Sequence, residues 1–256
     1  MRLSPLASTA LLAAVVLALP PDGAAAPGVA LPAATEAIDG HSLRLADGTV
    51  LRLAGIVAPD AEIAAERPAA EAARLALARL ALGQDLLALG DVERGDRHGQ
   101  RLLQLGNGQG QWLQGELLRA GLVRVWTGPD AAERAAEMLA LERQAREARL
   151  GIWALPYFAI LTPETAGRAL DRFQIVEATV AAVGRVRGTV YLNTGGDWRS
   201  DFTARLERPA LKLFAAAGQD PAALKGRTVR IRGWLRLYNG PFVDVTHPQQ
   251  IELVEP

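Results

Sequence analysis

The sequence predicts a mainly β fold with interspersed helices, an α+β protein in two parts. Three observations carry this. Short segments alternate apolar and polar residues and are punctuated by turn dipeptides such as Asp47-Gly48 and Asn107-Gly108. Longer segments place apolar residues three and four positions apart, the spacing of a helix with one buried stripe. The last third of the chain returns to five or six short strands around one helix, which fits a small OB-like barrel. The 256 residues suffice for one large domain or two ordinary ones, and half of them are hydrophobic.

The elements follow in order. Residues 1–26 have the layout of a secretory signal peptide: Arg2, an apolar run from Leu11 to Leu19, then Gly23, Ala24, Ala25 and Ala26. That run is far short of the roughly 20 residues a membrane span needs. With no later transmembrane segment, the mature protein is expected to be exported, periplasmic or secreted. A Pro/Ala linker over 27–35 leads into a first domain over 36–154. Ser42–Leu45 and Thr49–Leu53 read as a hairpin closed by Asp47-Gly48. Ala64–Leu82 reads as a helix, with Ala72, Leu75, Ala78 and Leu82 on its apolar face, Pro68 near its start and Gly83 at its end. Leu86–Leu89 and Leu102–Leu105 read as strands, with a polar turn over 96–99 between them and a second hairpin turn at Asn107-Gly108. A short helix over Leu113–Ala120, a strand over Leu122–Trp126 and a long helix over Ala131–Leu150 complete the domain.

Residues 155–172 read as a linker broken by Pro156 and Pro163, able to pack on the first domain. The second module, 173–256, shows strands over Ile175–Ala182, Thr189–Asn193 and Asp201–Leu206 and a helix over Ala210–Ala216. Thr228–Tyr238 reads as one long strand, followed by Phe242–Val245 and Ile251–Val254.

Charge and cysteine content narrow the chemistry. The formal net charge is zero, which argues against a whole-protein electrostatic grip on a polyanion. Residues 36–154 hold 14 Lys/Arg against 17 Asp/Glu, and residues 171–256 hold 12 against 9, so the second module is the basic one. There is no cysteine, which excludes disulfides, a thiol nucleophile and thiolate metal sites.

Five local motifs stand in order along the first domain: Asp39-Gly40-His41-Ser42, the stretch from Leu51 to Asp60, Asp96-Arg97-His98-Gly99-Gln100, the stretch from Glu116 to Val125, and Ala148-Arg149-Leu150-Gly151-Ile152-Trp153. Together they resemble the thermonuclease, or staphylococcal-nuclease-like, family over close to half of the chain. The resemblance implies an OB-fold-type barrel with attached helices. Residues 173–254 also resemble an extra module that follows this domain in some exported bacterial members.

The resemblance implies hydrolysis of phosphodiester bonds with a bound calcium, held by two carboxylates because calcium takes oxygen ligands. A further carboxylate acts on water, and two arginines cover the phosphate as charge develops. Carried over by position, Asp39 matches an acid beside the ion, and Arg52 matches the first phosphate-binding arginine. Asp60 stands in place of the catalytic Glu, one methylene shorter. His41 and Val57 replace the two calcium-ligating carboxylates, and Gln100 replaces the second arginine. Arg101 is adjacent but should point to the opposite face of its strand, serving only if the turn slips by one residue. An ordinary calcium site should therefore be very weak or absent. Losing one phosphate donor costs about 100-fold or more in rate, so the sum of replacements predicts little normal activity.

Other readings stay open. Asp39, His41 and Asp60 together offer a site for zinc or manganese, against a His41 that is a plain surface residue. Arg52 has an alternative role as an ion-pair partner of Asp60. Trp112, Trp126 and Trp153 read as packing residues, and His247-Pro248 as a turn. Tyr191 and Trp198 offer stacking surfaces for a ligand. Arg230, Arg232 and Arg236 alternate along one strand, which makes a weak binding face for an anionic envelope polymer or, by default, a solvated one. Nucleic acid, an envelope protein or an anionic polymer are the candidate partners. The functional expectation is a degenerate phosphodiesterase fold acting as a binding or scaffold module, with an active exported nuclease of divergent metal site as the alternative.

Overall fold

The structure is a computed structural model that describes residues 28–90, 101–129, 132, 134–197 and 200–254. The expected signal segment, the turn ending at Gln100 and Trp198 lie outside the described residues.

The first domain opens inside the stretch read as a linker. β1 (Val29–Ala30) and β2 (Ala34–Ala37) are two parts of one bent strand. Their Ala- and Pro-rich sequence carries little strand signal, so only pairing reveals them. β3 (Ser42–Leu45) and β4 (Val50–Leu53) form the expected hairpin, with Leu43 opposite Leu51. After β5 (Ile56–Val57) and α1 (Arg67–Ala81) come β6 (Leu86–Leu89) and β7 (Arg101–Asn107). The sheet order is β1-β6-β7-β4-β3-β2, with β4 and β7 parallel. Because β1 pairs with β6 and β2 with β3, the sheet returns to the strand it started from, the wrap of a partly open OB-type barrel. Leu43, Leu51, Leu53, Leu77, Leu103 and Leu105 fill its centre.

α2 (Leu113–Arg119), β8 (Arg124–Val125) and α3 (Ala135–Glu147) complete the domain. α3 is shorter than expected, because Arg149 and Gly151 adopt positive φ of 52° and 54° just beyond it. Gly151 crosses the chain at Gly121: a Cβ there would lie 2.3 Å from the Gly121 carbonyl oxygen, which accepts from the Ile152 N–H at 2.8 Å. Two motifs far apart in sequence thus meet backbone to backbone, where a side chain has no room.

The apolar face read for α1 is corrected. Leu75 and Leu82 are 41% and 37% exposed, while Ala69, Ala70, Ala73, Leu77 and Ala81 are buried. The helix sits so close to the β2–β3 turn at Gly40 that its buried stripe is alanine except for Leu77. Asn107-Gly108 is a turn as expected, closed by an antiparallel Gly106–Trp112 bridge, and it leads into the short helix that follows. The buried Asn107 amide donates to Leu80 O and Gln111 Oε1, and its oxygen accepts from the Gln109 and Gln111 N–H groups.

Residues 155–172 are packed rather than free. Phe158 clusters with Ala69 and Ile152 of the first domain, whereas Ala166, in α4 (Pro163–Ala166), and Ala169 join the second core. The second module has β9 (Phe173–Thr179), β10 (Ala182–Val186), β11 (Thr189–Asn193), β12 (Thr203–Leu206), α5 (Arg208–Ala216), β13 (Thr228–Trp234), β14 (Arg236–Leu237), β15 (Pro241–Val245) and β16 (Ile251–Leu253). One sheet runs β10-β11-β12-β15-β14 and the other β16-β13-β9. The chain passes from β9 to β10 at Val180 and from β13 to β14 at Leu235, both fully buried, so two bent strands link the sheets into a second OB-like barrel. The strand expected over Thr228–Tyr238 is thereby split at Leu235. No helix among the described residues is long and apolar enough to cross a membrane.

Candidate functional site

The Asp39–His41 turn lies between β2 and β3, pressed on α1. A Cβ at Gly40 would fall 2.6 Å from the Ala73 Cβ and 2.8 Å from the Ala58 Cβ. The His41 N–H donates to Asp39 Oδ1 at 2.7 Å, and its carbonyl accepts from Leu53 N–H at 2.7 Å. Its Nδ1 lies 3.2 Å from the same Asp39 oxygen, without the alignment of a hydrogen bond. His41 is buried, not a surface residue. Its pKa is lowered from 6.5 to about 4, by burial first; Asp39 opposes that fall and the positive charge of Arg52 adds to it. At neutral pH the side chain is an uncharged imidazole.

Arg52 stands on β4 opposite Ser42 of β3 and beside Leu102 of β7, half-buried and close enough for its charge to act on His41. It forms no ion pair with Asp60. The exposed Asp60 is engaged in a turn before α1: its Oδ1 accepts from Glu62 N–H at 2.8 Å, and its own N–H donates to Glu66 Oε2 at 2.9 Å. Val57 is buried on β5 opposite Arg124 of β8. Gln100 lies outside the described residues. Arg101 pairs with Leu51 and therefore lies on the face opposite Arg52; the register leaves no one-residue slip, and its charge acts on Asp47 at the hairpin tip.

The basic face expected on the second module is also corrected. Arg230 is half-buried and donates from Nε to Glu177 Oε2 at 2.8 Å. Arg232 exposes nothing, because the first domain covers it: its Nη1 donates to Val125 O at 3.0 Å. Arg236 is on β14, past the bend, and is exposed. His247 is a buried pin rather than a plain turn residue, its Nε2 2.8 Å from Thr127 Oγ1 and its Nδ1 2.9 Å from Thr246 Oγ1. Trp112 and Trp126 do pack as expected, Trp126 edge-on to Phe173 at 5.2 Å.

Residues 50–155 match the family described as staphylococcal nuclease homologue. Over that stretch the first domain is similar to the staphylococcal nuclease family. The match starts on β4, after the Asp39–His41 turn, and ends eighteen residues before β9. No curated protein matches the chain.

The residues of this nuclease-like domain do not fit calcium. The ion takes six to eight oxygen ligands. Of the two positions where the resemblance implies ligating carboxylates, one is a buried neutral imidazole and the other a buried valine. Among the described residues no three His, Cys, Asp or Glu side chains gather as a metal group, so Asp60 does not join Asp39 and His41 in a zinc or manganese site either. Sequence reasoning missed Glu66, which holds the Asp60 loop, and Arg124, buried beside it. Glu66 stands one residue before Arg67-Pro68 and was hidden inside the expected helix. Arg124 was hidden in a strand whose alternation said nothing of a second module covering it.

Proposed function

We propose that the chain is an exported, non-hydrolysing member of the nuclease fold, working as a binding or scaffold module of the cell envelope. The observation that carries this is the state of the two positions expected to ligate the ion: Val57 is buried against β8, and His41 is a buried, uncharged imidazole. Neither supplies an anionic oxygen to a cation. The signal-like segment at 1–26 supports export. What Arg52 retains is a half-buried cation beside a neutral imidazole, suited to holding an anionic group of a polymer, nucleic acid included, without cleaving it.

A second reading keeps activity, favoured by the retention of Arg52 and of a carboxylate at Asp60 in the matching motif. One assay separates the two: hydrolysis of single-stranded DNA by the purified mature protein with calcium, manganese, zinc or EDTA, and Arg52→Ala as control. The proposal expects no turnover under any condition from a folded protein. Metal-dependent cleavage that vanishes in Arg52→Ala would replace it with the active nuclease.

A further inference from the structure

Glu142 on α3 and Arg232 on β13 stand 90 positions apart in sequence, in different barrels, and neither side chain exposes any surface. Arg232 Nη1 donates to Glu142 Oε2 at 3.1 Å, and Nη2 donates to Glu142 Oε1 at 3.0 Å and to Glu252. Glu142 also accepts from the Val125 N–H at 2.5 Å and from Arg146 Nη1 at 3.4 Å, and Arg146 lies 3.9 Å from Glu252. Beside them Arg124 lies over the rings of Phe158 and Phe173, at 5.4 and 4.9 Å from the centroids. Burial lowers its pKa to about 10, with Glu66 and Glu142 opposing that fall. Three guanidiniums thus face three carboxylates, a neutral set buried except at its Arg146 and Glu252 edge. Glu66 also accepts from the Asp60 N–H, so the set reaches the candidate site.

Each group needs the other half of the chain. Without β13, Glu142 loses its bidentate partner. Without α3 and β8, Arg232 loses Glu142 and the Val125 carbonyl. A buried charge left alone costs several kcal/mol, so a dry interface holds only when both halves are seated in one geometry. The segment between the barrels adds to this, since Phe158 packs in one half and Ala166 and Ala169 in the other.

We propose that the β8–α3 face of the nuclease-like domain is an interaction surface whose partner is residues 173–254 of the same chain, and that the two barrels unfold as one unit specified by the Glu142–Arg232 pair. The proposal is independent of whether the site is catalytic.

The test is calorimetry and native-state hydrogen exchange on the mature full-length chain. One transition is expected, with the Leu53 amide of the first barrel and the Ile231 amide of the second protected to the same degree. Glu142→Gln should lower Tm by roughly 10 °C, with both barrels affected together. The double variant Glu142→Leu with Arg232→Met, which removes both charges, should recover at least half of that loss. Two separate transitions, an Ile231 amide exchanging more than about tenfold faster than Leu53, or a double variant that loses the sum of its single changes would each overturn the proposal. If Glu142→Gln does not fold, exchange in the unmodified chain still decides.

Discussion

Gly40 and the two buried histidines show what single residues contribute. At Gly40 an added methyl group meets two others at 2.6 and 2.8 Å, both on short side chains that cannot swing away. Gly40→Ala should therefore destabilise by about 1–3 kcal/mol, read as the denaturant midpoint, and an unchanged midpoint would show that the turn shifts freely. His41 and His247 both have pKa values lowered to about 4, His41 by burial and then Arg52, His247 by burial and then Arg232. A depressed histidine pKa means that folding favours the neutral ring. That contribution is whole above pH 6.5, shrinks as pH falls, and is gone below about 4. Asp47 is also shifted downward, by its hydrogen bonds to Thr49 first, and it acts only below its ordinary value of 3.8. Unfolding midpoints should thus fall between pH 6.5 and 4.5 because of the histidines. His247→Gln should lower the midpoint at pH 7 yet flatten that fall, and an unchanged slope would remove His247 as a cause.

At the scale of elements, α1 separates hydrophobicity from burial. Its leucines at 75 and 82 are the exposed ones, and its alanines face the barrel. Periodicity located the helix and its Pro68 start, but two stripes at the same spacing compete in an Ala-rich helix, and the choice depends on how near the neighbouring turn lies. Leu75→Ser should change stability by no more than about 0.5 kcal/mol. Ala73→Leu, at a fully buried position facing Gly40, should destabilise by about 1–3 kcal/mol or more. Thermal unfolding of the two variants side by side checks this, and equal losses would restore the Leu75 face. β1 and β2 show the opposite failure: too little side-chain pattern to be read, and a role that exists only because β6 and β3 pair with them.

At the scale of the whole molecule, two barrels share the same wrap. In each, a bent first strand reaches both ends of the strand order, and one parallel pair, β4–β7 or β12–β15, closes the meander. The long connection between them is not a tether, since its apolar residues are divided between the two cores. This predicts that cutting within 159–162 by limited proteolysis proceeds only as fast as global unfolding, and that urea raises the cutting rate in step with the loss of structure. Rapid cutting of the native protein would show a mobile connection instead.

The sequence alone determined the nuclease-like domain, the order of most of its elements, and the presence of an imidazole at His41 and a valine at Val57. These rest on residue identity, and a valine cannot ligate a cation in any fold. It also determined that Arg101 would face away from Arg52, because side chains alternate along a strand. Only the tertiary structure decided that Asp60 Oδ1 accepts from its own turn, that His41 is buried and neutral, and that Arg232 is not a surface cation but the partner of Glu142. Those properties depend on what covers a residue from another part of the chain. Local pattern sets which face of an element a side chain occupies; packing decides whether that face meets water, a carboxylate or another barrel.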